Sequence, residues 1–162
     1  MDTPRARGHH RLRVGRYSRP GQAYHVTFAT RQRRPLFHSL EAARIMVRTM
    51  RFADHRRWSR TLAYVVMPDH IHWLFELGRG RSLSRLVQSV KKFSASQLVR
   101  QLMAESPVWD AGYFDHAIRQ EEDLQAVSRY IVANPLRAGL CGEIGGYPHW
   151  DAVWLAGELN TP

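Results

Sequence analysis

The segment YVVMPDHIHWLFEL, residues 64 to 77, constrains this chain more than any other. Two apolar runs flank a Pro-Asp pair, and two histidines stand one residue apart just after it. Pro68-Asp69 is turn chemistry, because proline presets φ and aspartate bonds its own backbone. The runs on either side, TLAYVVM (61 to 67) and HIHWLFEL (70 to 77), are rich in residues that favour strands. The segment therefore predicts two neighbouring strands joined by a tight turn. Alternate side chains of a strand share a face. Ile71, Trp73, Phe75 and Leu77 make a core face, and His70 and His72 point together from the other. The histidines are expected on the face that helices do not need to cover.

Residues 23 to 30, AYHVTFAT, alternate in the same way, with Tyr24, Val26 and Phe28 on one face. RQRRP follows as a basic turn. Residues 39 to 53 predict a helix, with Ser39 as N-cap and Leu40, Ala43, Val47 and Met50 at helical spacing. Residues 83 to 102 are the clearest amphipathic helix, its stripe supplied by Leu83, Leu86, Val87, Val90, Val99 and Leu102. PVWDAGYFDHAIR (107 to 119) is expected as a short strand with loops. Residues 121 to 134 predict a last helix with an acidic start that suits the helix dipole and an end enforced by Pro135. The tail, 136 to 162, is expected to pack over the core. The order predicts an α+β domain, an antiparallel β-sheet with helices packed on one face. At 162 residues and 44% hydrophobic, one domain with one core suffices, preceded by a basic arm at 1 to 22.

Charge is distributed unevenly. Residues 1 to 60 carry 15 Arg against 3 acidic residues, and residues 61 to 162 carry 9 Lys or Arg against 11 acidic residues. Arginine outnumbers lysine 22 to 2, and its planar fork pairs with phosphate and stacks on bases. Such a block is the footprint of a polyanion, most simply nucleic acid. No apolar run approaches the roughly 20 residues that span a bilayer, and the start lacks the apolar core of a secretory signal. The single cysteine, Cys141, excludes an internal disulfide and a cysteine zinc cage. A cytoplasmic, nucleoid-associated setting and no membrane partner are expected.

Imidazoles at i and i+2 start about 7 Å apart on a strand and can converge on one divalent cation. A bare His-x-His is a weak signal, because ordinary polar strand residues give it too. A third ligand must come from elsewhere, and Asp69, Glu76, His116, Asp115 and Asn134 all qualify. Glu76 lies about 13 Å along from His72 and reads as a solvated residue. The last helix adds a second signal: Tyr130 and Asn134 stand at i and i+4, on one helical face. A tyrosine hydroxyl can attack phosphorus, a metal can polarise the phosphate, and an amide oxygen can complete the metal site.

These segments together resemble a known family. VVMPDHIHWLF resembles the HUH motif of single-tyrosine transposases of the insertion-sequence 200/605 type. YHVTFATRQRRPLF, VKKFS, VWDAGYFDHAIR and EDLQAVSRYIVANPLRAGL extend the likeness nearly end to end, closest to REP-associated tyrosine transposases. The resemblance implies a ferredoxin- or RRM-like HUH endonuclease fold. It implies Tyr130 as nucleophile, with His70, His72 and Asn134 as ligands of Mg2+ or Mn2+. Many insertion-sequence members have Gln at that last position. It further implies single-stranded DNA with REP-type hairpins as partner, a 5′-phosphotyrosine intermediate, and a monomer. Arg16, Tyr17, Arg31, Arg33, Arg34, Lys91, Lys92 and Arg119 become candidate DNA contacts, and His116 an accessory candidate. Two other readings use the same residues: a nucleic-acid-binding module without catalysis, and a metal hydrolase in which Tyr130 has no role.

Overall fold

A computed structural model of the chain describes residues 18–119 and 122–153. Its strands are β1 (Ala23–Ala29), β2 (Ser59–Val66), β3 (His70–Leu77), β4 (Phe114–Ala117) and β5 (Trp150–Ala152). Its helices are α1 (Leu40–His55), α2 (Leu83–Leu102), α3 (Leu124–Val132) and the single turn α4 (Asn134–Arg137). The strands form one sheet in the order β4-β1-β3-β2-β5, every pair antiparallel. The histidine strand, β3, is thus central. The Pro68-Asp69 turn is closed by the Met67 N–H donating to the His70 carbonyl at 2.9 Å. Thr30, fully buried, holds the turn from the side: its N–H and hydroxyl both donate to the Asp69 carbonyl.

One face of the sheet behaves as the alternation predicts. Tyr24, Val26 and Phe28 of β1 and Ile71, Trp73, Phe75 and Leu77 of β3 pack against α1 and α2 in the main core. Ser39 caps α1, accepting from the Ala42 N–H, and α2 has the predicted bounds. The stripes differ in detail. Leu40 and Val99 are exposed, while Ile45, Met46 and Leu98 are buried. In α2 the steps 83, 86, 87, 90, 94, 98 follow one face of a 3.6-residue period, and Val99 falls off it.

The other face does not match the expectation of helices on one side only. α3 lies across β2 and β3 there, and Ile131 and Val132 build a second core with Leu62, Ala63, Val65 and Leu74. Leu74 breaks the two-residue alternation of β3 because that strand is covered on both faces at its middle. A register shift between Thr61 and Ala63 lets Leu62 and Ala63 both serve this second core. The tail contributes β5 against β2, and the Tyr147 hydroxyl donates to the Val66 carbonyl at 2.6 Å.

Candidate functional site

His70 and His72 leave β3 on the α3 side of the sheet, their ring centroids 5.0 Å apart and nearly perpendicular. Neither ring is free to turn. His70 Nδ1 lies 2.6 Å from Asp69 Oδ1. A carboxylate only accepts, so the proton sits on Nδ1 and the Nε2 lone pair is left outward. Asp69 in turn faces Arg33, with 3.7 Å between charged groups. His72 Nδ1 lies 3.0 Å from His25 Nε2 and 3.1 Å from Thr27 Oγ1. Burial lowers His72 to a pKa of about 3, helped by the charges of His25, His70, Arg137 and Arg33. Burial lowers His25 to about 4, helped by His116. Both are neutral at pH 7, so the two facing nitrogens are set to share one proton, with the Thr27 hydroxyl as a second partner of His72 Nδ1.

The site ends on α3 and the break that follows it. A helix continuing past Ala133 would have residue 135 donate to the Ile131 carbonyl, but Pro135 has no N–H. The Asn134 side chain supplies the missing donor, its Nδ2 lying 2.9 Å from the Ile131 carbonyl. A carbonyl needs a donor opposite it, so Asn134 Oδ1 is the end left available. Asn134 therefore begins α4 rather than continuing the face of α3 that carries Tyr130. Arg137 meets the same end of α3 at the neighbouring carbonyl: it donates to the Tyr130 carbonyl at 2.7 Å, and its guanidinium lies 3.9 Å from the Tyr130 ring centroid. Tyr130 itself is 57% exposed.

The other candidates separate into those near this constellation and those engaged elsewhere. His116 pairs with His25 across β4 and β1, on the histidine face, and Glu122 holds its Nε2 at 2.9 Å. That contact holds the Glu122 carboxyl below its usual range. Asp115, paired with Val26, points to the opposite face, and Glu76 is taken by Arg60 at 3.1 Å. Arg31 faces Asp110 at 3.7 Å. Arg34 clamps the carbonyls of Arg31, Glu105 and Pro107. Lys91 bonds the carbonyls of Asp110 and Gly112, whereas Lys92 is exposed. The Arg119 side chain is exposed while its N–H bonds Glu122. Arg16 and Tyr17 lie outside the described residues.

Among the described residues, no three His, Cys, Asp or Glu side chains could hold a metal by themselves. The fit with a divalent cation rests on donor chemistry: an outward Nε2 fixed by Asp69, a neutral His72 beside it, and an amide oxygen left available on Asn134. Sequence reasoning missed His25 and Arg137. The signal for His25 lay in AYHVTFAT, which sets it opposite Tyr24 and Val26. Arg137 meets Tyr130 from seven positions downstream, past the helix break, and no local pattern pointed to it.

The family model described as Transposase IS200 like matches residues 18–134. A REP-associated tyrosine transposase of Escherichia coli is 27% identical over 88 residues, covering 53% of this chain and 50% of that protein. A Haemophilus influenzae protein named provisionally as a REP-associated tyrosine transposase is 26% identical over 102 residues, covering 55% and 56%. The chain thus spans about half the length of the curated relatives it matches. Its fold is that of a solved REP-associated tyrosine transposase bound to a REP hairpin, with TM-score 0.70, 22% identity, and 83% and 79% of the two chains covered. A provisional transposase from Deinococcus radiodurans superposes with TM-score 0.52 at 20% identity, over 81% and 95%.

Proposed function

The chain belongs to the IS200-like transposase family, and on that premise we propose that it cuts and rejoins single-stranded DNA beside REP-type hairpins, with Tyr130 as nucleophile. The observation that carries the reading is the pair His70 and His72 on one sheet face, with His70 locked by Asp69. α3, packed on the same face, bears an exposed Tyr130 under Arg137.

In this reading the Tyr130 oxygen attacks the scissile phosphorus. The bond to the 3′-oxygen breaks, and that oxygen leaves as a 3′-hydroxyl after taking a proton. The 5′-phosphotyrosine keeps the energy of the phosphodiester, so a 3′-hydroxyl reverses the step without any outside energy source. A free phenol ionises near pH 10, so Tyr130 needs help at neutral pH. Arg137 holds the ring from above and places positive charge where the phenolate and phosphate carry negative charge. His116, its Nε2 held by Glu122, is the accessory group for the phenol proton. His70 Nε2, His72 Nε2 and Asn134 Oδ1 would hold Mg2+ or Mn2+, which supplies Lewis-acid polarisation of the phosphate when bound.

Arg16, Tyr17, Arg31, Arg33 and Arg119 contact the DNA, and Arg34 and Lys91 serve that surface by holding the loop at 105 to 112 in place, whereas Lys92 lies toward the cleft between α1 and α2. α3 packs on the sheet of its own subunit, which supports a monomer whose Tyr130 serves its own histidines.

The test is a cleavage assay with hairpin oligonucleotides from repeats near the gene, with Mn2+, on wild type and Tyr130→Phe. A covalent protein–DNA adduct in wild type alone supports the reading. Binding without an adduct in either protein would make the chain a binding module. Cleavage that survives in Tyr130→Phe would make water the nucleophile.

A further inference from the structure

On the side of the sheet away from the histidines, α1 and α2 expose large aromatic rings to water. Phe52 and Phe93 are each 46% exposed, with ring centroids 5.8 Å apart and planes only 15° from parallel. Trp58 meets Phe52 edge-on. The three rings line one open cleft of about 370 Å3 between the helices. Its cations are set against the rings. The Arg81 guanidinium lies 3.6 Å from the Trp58 ring centroid and that of Arg56 lies 5.4 Å from it. Lys92 lines the cleft, and Arg48 lines the adjoining hollow that shares Phe52 and Phe93. Among the described residues, no acidic side chain lines either hollow.

Two features on this surface select the occupant. Flat exposed rings offer stacking to any base, and cations beside them offer contacts to a phosphate backbone, the combination that binds single strands without sequence preference. An apolar protein surface seated here would instead strip water from Arg48, Arg56, Arg81 and Lys92 without pairing them. The chain's own basic arm, with Arg5, Arg7, Arg11, Arg13 and Arg16, carries the wrong sign.

We propose that the cleft between α1 and α2 is a second subsite for single-stranded DNA, where bases stack on Phe52 and Phe93 while Arg48, Arg56, Arg81 and Lys92 hold the backbone. It rests on the reading above for the class of substrate alone, and gives strand outside the catalytic face a second footing on the protein.

The probe is a fluorescent oligothymidylate of about 15 nucleotides, with no hairpin, in metal-free buffer. The full chain is compared with Phe52→Ala/Phe93→Ala and with Lys92→Gln. The double variant is expected to bind about tenfold or more weakly, and Lys92→Gln to flatten the salt dependence by about 0.7 in log–log slope. Photocrosslinks from an iodouracil-bearing strand are expected at Phe52, Trp58 or Phe93. Unchanged affinity in the double variant, or crosslinks confined to the histidine face, overturns the proposal. So does a change in oligomeric mass with no change in DNA binding, which would make the cleft a protein interface. Lys92 is exposed, so its variant reports even if the double variant folds poorly. No cleavage is read here, so a failed adduct assay would count against Tyr130 and leave this result standing.

Discussion

His25 Nε2 and His72 Nδ1 lie 3.0 Å apart, although the residues are 47 positions apart in sequence. If the shared proton sits on His72 Nδ1, the His72 Nε2 lone pair faces outward, as it does in His70. His25 then acts by fixing a tautomer, the role that partners of metal-binding imidazoles commonly play. His25→Ala is expected to raise the Mn2+ concentration for half-maximal adduct formation by about tenfold or more. Hairpin binding in a chelator should stay within about twofold of wild type. An unchanged metal dependence would leave His25 as a packing residue.

Strands β1 to β3, the α2 bounds and the Ser39 cap were legible because each rests on local pattern or local chemistry, whereas β5 in the tail was not foreseen. The histidine pair was legible for the same reason: two residues of one strand share a face whatever surrounds them. Leu74 did not figure in the predicted core because alternation describes a strand covered on one side, and α3 covers the second side from about 55 residues downstream. His25 and Asp69 illustrate the two cases. Asp69 is adjacent to His70, so its contact was within reach of local reasoning. His25 meets His72 through the β1–β3 register, which matches Thr27 with His72, and no local pattern specifies that offset. Asn134 lies between: Pro135 signalled the break, and the carbonyl it orphans decides which way the amide turns.

Gly78 shows how closely the chain passes itself at the end of β3. A Cβ there would stand 2.0 Å from the Arg57 carbonyl oxygen, on backbone that cannot swing away because the Gly78 N–H bonds the Trp58 carbonyl at 2.8 Å. Gly78→Ala is expected to destabilise the fold by roughly 2 kcal/mol or more, read as a lower urea midpoint. A midpoint equal to wild type would mean that the loop at Arg57 gives way freely.

Tyr147 predicts an alkaline limit on stability. Burial, with Cys141 adding, pushes its phenol up to about 12. The unfolded chain releases this proton near pH 10, and the folded chain keeps it to about 12. Between those values the folded state binds more protons, so stability is full below pH 10 and falls as pH rises toward 12. The ring is half-buried, so after allowance for solvent screening the loss is about 1 kcal/mol. Tyr147→Phe should lose about 1 kcal/mol at neutral pH, through the bond to the Val66 carbonyl, and decline less steeply above pH 10. Parallel slopes for the two proteins would assign the alkaline loss to other groups.

Asn134 carries two jobs that substitutions can separate. Its Nδ2 donates to the Ile131 carbonyl that Pro135 leaves unpaired, and its Oδ1 is the end available to a cation. Asn134→Ala removes both. It should lower metal-free stability by about 1 kcal/mol and reduce adduct yield with Mn2+ by about tenfold or more. Asn134→Asp keeps an outward oxygen and adds charge, but a carboxylate cannot donate to a carbonyl. It should lose as much stability as Asn134→Ala while needing less Mn2+ for half-maximal adduct formation. Urea unfolding without metal reads the first job, and a Mn2+ titration of adduct yield reads the second. If Asn134→Ala and Asn134→Asp lose stability together and form adduct like wild type, Asn134 serves only to close the end of α3, and the third oxygen for the cation comes from the DNA or from water.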